Sequence, residues 1–314
     1  MKILFTSVGR RVELMQAFHN AAKAIGVDLE IYGADITETA PALWYCDHHV
    51  IVPRISDADY IPTLQKICKE EEINALIPTI DTDLLLLSRN KSVFGSTKVI
   101  ISEEDKVALC RDKRFTADYF HSLGLKSPAP VDNWKKYNAG YPAFIKPRDG
   151  SSSIFAYKVN NEAELKNYAA QVPDYIIQPF IEGTEYTVDI FCDFDGNPVF
   201  ITPRIRHTVR AGEVLKAEIR QDEKIIAEMQ RLIKDYKPCG QITVQLIKQR
   251  ETGDNYYIEI NPRFGGGAPL TIKAGADSAQ MLLRLLKCEK ISYMDHAAED
   301  GAVFCRFDQS VRVK

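Results

Sequence analysis

Over roughly the first hundred residues, short apolar runs alternate with stretches of helical period, and this alternation limits the fold more than any other feature. Residues 2–8 (KILFTSV) read as a buried strand, and Gly9 opens a turn. Residues 11–25 place apolar side chains at helical spacing and end at Gly26. Further strands are expected at 29–34, 48–52, 74–79 and 97–101. Helices are expected at 60–70, with proline in the first turn, and around Leu84–Leu87. Strands that alternate with helices predict a parallel, doubly wound sheet. This unit is expected to end near residue 105.

Such a sheet binds ligands at the carboxyl ends of its strands. TSVGRR stands there, but Ser7 and Gly9 are its only small residues and GxGxxG is absent, so a dinucleotide reading has little support. Asp35, ending the second strand, reads equally as a ribose-binding acid or as a polar cap in a turn. Thr79 and Asp81, at the end of another strand, are further candidates for a ligand site.

Beyond residue 111 the pattern changes. A helix over 111–125 carries Lys113 and stops at Gly124 and Pro128. Residues 142–149 hold a strand with Lys146 at its end, 150–153 (GSSS) form a small polar turn, and 154–159 form a return strand. Small residues let the turn's backbone N–H groups approach phosphate oxygens. A helix, a strand over 174–183 and two long strands around the Asp195-Gly196 turn follow. A helix spans about 222–236, a hairpin turns at 252–255, a final amphipathic helix covers 278–288, and GAVFCRF closes as a strand. The later sheets thus read as antiparallel. The predicted fold class is α/β followed by α+β, with expected units at 1–105, 106–180 and 181–314.

Composition excludes several classes. With 40 Lys and Arg against 43 Asp and Glu, the net charge is −3, which argues against general adhesion to nucleic acid or membranes. No run of 18 apolar residues suits a transmembrane helix, and the N-terminus has no long apolar core of a signal peptide. Seven widely spaced cysteines without CxxC fit a reducing cytoplasm better than a disulfide or zinc framework.

The chemistry concentrates in YYIEINPRFGGG, residues 256–267. On a strand, Glu259 and Asn261 point the same way, with Cα atoms roughly 6–7 Å apart. Arg263 follows at the same period if the strand persists past Pro262. Two oxygen ligands and a guanidinium suit Mg²⁺ and phosphate rather than a thiolate metal. Taken alone, the segment also reads as an edge strand with a solvated Glu. Arg204, Arg206 and Arg210 form a basic cluster after a strand; it suits a carboxylate, or is simply solvated.

Lys113, FIKPRDGSSS, QPFIEGTEY, GQITVQL and EINPRFGGG stand in an order and spacing that resemble an ATP-grasp domain over about 110–290. The whole chain resembles the carbamoyl-phosphate synthetase large-subunit-like branch, with a single ATP-grasp unit. The resemblance implies a Rossmann-like domain over 1–105, then a small lobe (106–180) and a large lobe (181–314) with antiparallel sheets. It implies ATP and Mg²⁺ as cofactors, with two ions and Mn²⁺ as a substitute. Lys113 and Lys146 match the phosphate lysines, and Ser151, Ser152 and Ser153 the loop that closes over the phosphates. Gln178, Pro179, Phe180 and Ile181 match the adenine hinge. Glu185 matches the ribose acid, with Glu182 as its competitor. Gln245, Glu259 and Asn261 match the metal set, and Arg263 the arginine that neutralises the transferring phosphoryl group. The loop RAGEVLKAEI resembles the acceptor segment and places Lys216 near the reacting group, with Arg204, Arg206 and Arg210 as substrate contacts.

The implied reaction is carboxylate activation to an acyl phosphate, followed by attack of an amine. The expected partners are a small-molecule carboxylate and amine, with a homodimer as the commonest soluble assembly. The rivals are an ATP-grasp phosphotransferase, a carbamoyl-phosphate-type reaction, a nucleotide-binding protein without catalysis and an NAD-dependent oxidoreductase.

Overall fold

The computed structural model describes residues 1–150 and 154–313. The N-terminal part is a five-stranded sheet built from β1 (Lys2–Thr6), β2 (Glu30–Asp35), β3 (His48–Ile51), β4 (Ala75–Pro78) and β5 (Lys98–Val99). All neighbours run parallel, in the order β3-β2-β1-β4-β5. Alternation along β1 sorts its side chains onto two cores. Ile3 and Phe5 join Leu14, Met15 and Phe18 of helix α1 (Val12–Ala24). Leu4 instead meets Tyr60 and Leu64 of α2 (Tyr60–Glu70) and Leu84 and Leu87 of α3 (Asp81–Arg89).

Helices α4 (Glu104–Arg111) and α5 (Lys113–Ser122) lead into a three-stranded antiparallel sheet of β6 (Ala143–Pro147), β7 (Tyr157–Val159) and β8 (Tyr175–Pro179), crossed by α6 (Glu162–Ala169). Asp112 caps α5 by accepting from the Arg114 N–H. Phe120 of α5 and the following Leu125 pack into the core of the next sheet, so this helix supports the C-terminal part and not the small sheet.

The third sheet is antiparallel, in the order β13-β12-β9-β10-β11-β14. Its strands are β9 (Gly183–Cys192), β10 (Pro198–Arg210), β11 (Glu213–Ile219), β12 (Gly240–Gln249), β13 (Asn255–Asn261) and β14 (Val303–Cys305). Its two faces differ chemically. Val188, Ile190, Val244, Leu246 and Ile260 pack on Ile225, Met229 and Ile233 of α7 (Glu223–Tyr236). The other face carries Glu185, Asp189, Arg204, Arg206, Gln245 and Glu259, positions in phase by strand register. Two short helices, α8 (Ala268–Lys273) and α9 (Ser278–Leu286), join α1 in a shared core, where Phe18 meets Phe264 at 5.8 Å. No described helix is long and apolar enough to cross a membrane.

Three expectations change. The segment 210–219, read as a loop, contains β11, whose Val214, Ala217 and Ile219 are buried. The α8 turn was not foreseen, because six residues behind a glycine run give no readable period. The strand carrying Glu259 stops at Asn261, so Arg263 does not share its period.

A buried acid marks the first sheet. Asp83 Oδ2 accepts from Thr6 Oγ1 at 2.8 Å and Tyr60 OH at 3.2 Å, while Oδ1 has no partner among the described residues. Burial pushes this carboxyl up to about 6, against the pull of those hydroxyls. The folded state therefore holds the proton more tightly than the unfolded chain. The resulting penalty is absent below about pH 4, grows through about pH 4–6 and is full above that. Asp83→Asn keeps the acceptor and removes the charge. It is expected to stabilise the fold by about 1–3 kcal/mol at neutral pH and not at pH 4. Urea unfolding at both pH values checks this; an equal effect at the two would reject the ionisation account.

Candidate active site

The site begins on the polar face of the third sheet. Gln245 registers opposite Glu259, and Thr243 opposite Asn261. Asn261 Nδ2 donates to Glu259 Oε1 at 3.0 Å. Arg206 Nη1 donates to Gln245 Oε1 at 2.9 Å, its Nη2 to the Gly212 carbonyl, and Glu185 lies 3.7 Å away. One carboxylate and two amides are hard oxygen donors carrying a single charge, a set that fits Mg²⁺ when phosphates complete the shell. Two of these oxygens already accept, Gln245 Oε1 from Arg206 and Glu259 Oε1 from Asn261. Among the described residues no group of three or more His, Cys, Asp or Glu could hold a metal, so this mixed set is the candidate.

Two lysines approach from outside the third sheet. Lys146 sits on β6 and is 7% exposed, and Lys113 opens α5 and is 8% exposed. Lys113 Nζ donates to the Gly150 carbonyl at 2.8 Å, which leaves it beside the turn that follows β6. Burial pushes the Lys146 ammonium down to about 8; Glu259 opposes that shift and Lys113 reinforces it. Both charges thus belong to one field. A cavity of about 300 Å³ lies among Lys113, Gly150, Glu259, Asn261, Pro262 and Asp81. A larger cleft of about 1170 Å³ lies at the opposite ends of the parallel strands, by Asn74 and Lys98, and holds none of these groups.

The connection after β8 is arranged as a hinge. Gln178 is buried, with Nε2 donating to the Pro128 carbonyl at 2.6 Å. The Phe180 N–H donates to the Pro142 carbonyl, and the Glu182 carbonyl accepts from the Arg250 N–H. The Ile181 N–H between them has no such bond among the described residues. Glu182 pairs outward with Arg250 at 2.9 Å, whereas Glu185 stands on β9 beside Arg206. Ser151, Ser152 and Ser153 lie outside the described residues.

Residues 110–267 match the model of the ATP-grasp domain, and residues 3–101 match that of a PylC-like N-terminal domain. The chain belongs to the ATP-grasp family. It is 32% identical over 96 residues to D-alanine–D-alanine ligase B of Clostridium perfringens, covering 27% of this chain and 32% of that one. It is 24% identical over 227 residues to the carbamoyl phosphate synthase large chain of Campylobacter jejuni, covering 64% and 20%. Curated relatives are spanned only in part, down to 6% of the length of the longest matches. Among solved structures, the biotin carboxylase domain of 2-oxoglutarate carboxylase from Hydrogenobacter thermophilus, in complex with MgADP, ADP and bicarbonate, superposes with a TM-score of 0.76 at 18% identity, covering 96% of this chain and 73% of that one.

In this ATP-grasp chain, several expected residues stand elsewhere than the sequence suggested. Arg263 lies past the strand end and donates to Asp81 Oδ2 at 2.5 Å and to the Phe264 carbonyl. It is aimed by the first turn of α3 and not by strand alternation. Arg204 is 2% exposed, with Nε donating to Asp189 Oδ2 at 2.8 Å, so it braces the sheet interior. Arg210 is on the surface, paired with Asp308 at 3.0 Å. Lys216 is exposed on β11, opposite Thr208, where the register between β10 and β11 shifts. The structure therefore brings together Lys113, Lys146, Gln245, Glu259, Asn261, Arg263 and Arg206, and leaves Arg204, Arg210 and Lys216 outside. The glycine run has a measurable reason: a Cβ on Gly266 would lie 2.0 Å from Glu213 Oε2, and one on Gly267 2.4 Å from Arg204 Nη2.

Asp189 and Glu213 were missed. Asp189 is 1% exposed and accepts from Arg204, from Thr271 Oγ1 at 2.5 Å and from Thr243 Oγ1 at 3.4 Å. A carboxylate set among the apolar residues of VDIF, 188–191, was the available signal.

Proposed function

We propose that this chain is an ATP- and Mg²⁺-dependent ligase that activates a small carboxylate as an acyl phosphate and couples it to an amine, releasing ADP and phosphate. The observation that carries this reading is a cavity lined by Lys113, Glu259 and Asn261, with Gln245 opposite Glu259 on the paired strand, Lys146 in the field of Glu259 and Lys113, and Arg263 bonded to Asp81 of the lining. Lys146 and Lys113 hold the phosphates, the Ile181 N–H meets the adenine and Glu185 the ribose. Bound Mg²⁺, two ions with Mn²⁺ as a substitute, supplies charge neutralisation, and Gln245, Glu259 and Asn261 are the residues that hold it. Arg263 stabilises the γ-phosphoryl group as the carboxylate oxygen forms its bond to phosphorus and the bond to the ADP oxygen breaks. The amine then forms the C–N bond and gives up a proton, and phosphate leaves with the electron pair of the broken C–O bond and takes up that proton. No protein nucleophile is required; positioning and charge supply the rate. The relatedness to a D-alanine–D-alanine ligase supports amide formation as the outcome. A cytoplasmic homodimer is the proposed setting.

The test is an ADP-release screen with amino acids and small dicarboxylates, each with and without amine donors. Release that needs both substrates supports ligation. A stable phosphorylated product from one substrate would establish the phosphotransferase instead, and AMP with pyrophosphate would replace acyl phosphate by adenylation.

A further inference from the structure

The carboxyl ends of the parallel strands gather three guanidiniums against the third sheet. Arg263 is held by Asp81, and Arg306 by Glu13 at 3.1 Å and Glu213 at 3.4 Å. Arg11 is the third. It stands at the start of α1, and its Nη2 donates to the Thr79 carbonyl at 2.9 Å. Thr79 and Asp81 are two residues apart, so one β4–α3 junction holds both Arg11 and Arg263. Glu13 in the first turn of α1 brings Arg306 to the same place.

Arg11 differs from the other two. It has no carboxylate within 4 Å among the described residues; Asp81 and Glu213 act on it from farther away and are paired with its neighbours Arg263 and Arg306. It is also half-buried, and burial together with the Arg263 charge lowers its basicity to about 10. A half-buried guanidinium with one neutral acceptor among the described residues for its five N–H groups, and with Asp81 and Glu213 acting on it only from beyond 4 Å, has donors left for an anion. The chain around it is held in unusual conformations: Ser7 has φ 54° although it is not glycine, and Gly9 has φ 45° with its N–H donating to Asp35 Oδ2 at 2.8 Å. These turns fix where α1 begins and so where Arg11 points.

We infer that Arg11 is a specificity-determining residue that receives a carboxylate of the substrate beside Arg263, at the β4–α3 junction. The inference rests on the ligase reading and deepens it. It makes the substrate either a small diacid, with one carboxylate held by Arg11 while the other meets Arg263, or an amino acid that presents its amine while Arg11 holds its carboxylate. A planar guanidinium matches a carboxylate through two parallel hydrogen bonds. Neutral compounds that lack a carboxylate have no counterpart for it.

The experiment uses the full chain, saturated with MgADP, in calorimetric titrations with each standard amino acid and the straight-chain dicarboxylates from oxalate to adipate. Glycinamide serves as the probe without a carboxylate. Wild type is expected to bind at least one acid and not glycinamide. Arg11→Met is expected to weaken that acid at least 10-fold while MgADP affinity stays within 2-fold. Arg11→Gln keeps a donor for the Thr79 carbonyl and loses the charge; it is expected to show the same loss, and Arg11→Lys to recover part of it. Unchanged binding of the acid by both uncharged variants overturns the inference, as does a wild-type protein that binds MgADP and none of the acids. Failure of wild type to bind MgADP would instead sink the ATP-site reading, and this inference with it.

Discussion

Replacing Glu259 with alanine is expected to lower Mg·ATP turnover by at least about 10³-fold, because it removes the single negative charge of the metal-binding oxygens. The local structure explains why the loss is chemical and not a collapse of the fold. Glu259 accepts from Asn261 on its own strand, and its side chain is only partly buried. The strand itself is held by register with β12 and by Ile260 in the core behind it. Removing the carboxylate therefore costs one hydrogen bond, about 1 kcal/mol, in a region fixed from the other face. Glu259→Gln separates charge from shape: it keeps an acceptor for Asn261 and is expected to lose nearly as much activity as alanine. Initial rates of phosphate release, with circular dichroism as the control for folding, check both variants. Near-wild-type turnover by Glu259→Gln would show that charge at this position is dispensable, and near-wild-type turnover by Glu259→Ala would remove the metal assignment.

The same residue shows what the sequence could and could not reveal. Period-two alternation placed Glu259 and Asn261 together, and the hairpin turn at 252–255 brought Gln245 opposite them, because both relations are set by local backbone geometry. The parallel sheet was legible for the same reason: its strands are nearly continuous apolar runs bounded by helices of clear period. Arg263 was placed by residue type and misplaced by period, since its position depends on Asp81, far away in the chain. Arg204 and Arg206 share a strand face, yet only Arg206 reaches the site; Arg204 meets a buried Asp189 that alternation alone could not pair with it. Lys216 was read in a loop because EVLKAEI mixes charges into a strand whose buried positions include the small Ala217. Local period is written in the sequence, whereas ion pairs between distant elements are set by the assembled fold.

Lys146 is where function and stability are expected to oppose each other most directly. Its ammonium is buried, with no carboxylate within 4 Å among the described residues, and its pKa falls from 10.5 to about 8. A depressed lysine pKa means that the charged form is less comfortable in the folded chain than in the unfolded one. The penalty is fully present below about pH 8, shrinks as pH rises from about 8 towards 10.5, and vanishes above that. Lys146→Met fills the space of the aliphatic stem and removes the charge. Without nucleotide it is expected to be more stable than wild type by about 1–3 kcal/mol at pH 7, with a smaller difference at pH 9.5. With MgADP at about 100 times its wild-type dissociation constant, wild type gains about 2.7 kcal/mol from binding, and the variant, lacking the phosphate contact, gains far less. The stability order is then expected to shrink or reverse, while turnover of the variant falls about 10²–10⁴-fold. Denaturant unfolding of both proteins, with and without MgADP at the two pH values, reads all four states. A variant less stable than wild type at pH 7 without nucleotide would contradict the burial penalty. A variant that gains as much as wild type from MgADP would remove Lys146 from the phosphate site. The buried charge is then understood as a standing cost in the empty protein that the phosphates relieve, which ties the affinity for nucleotide to the instability of the site without it.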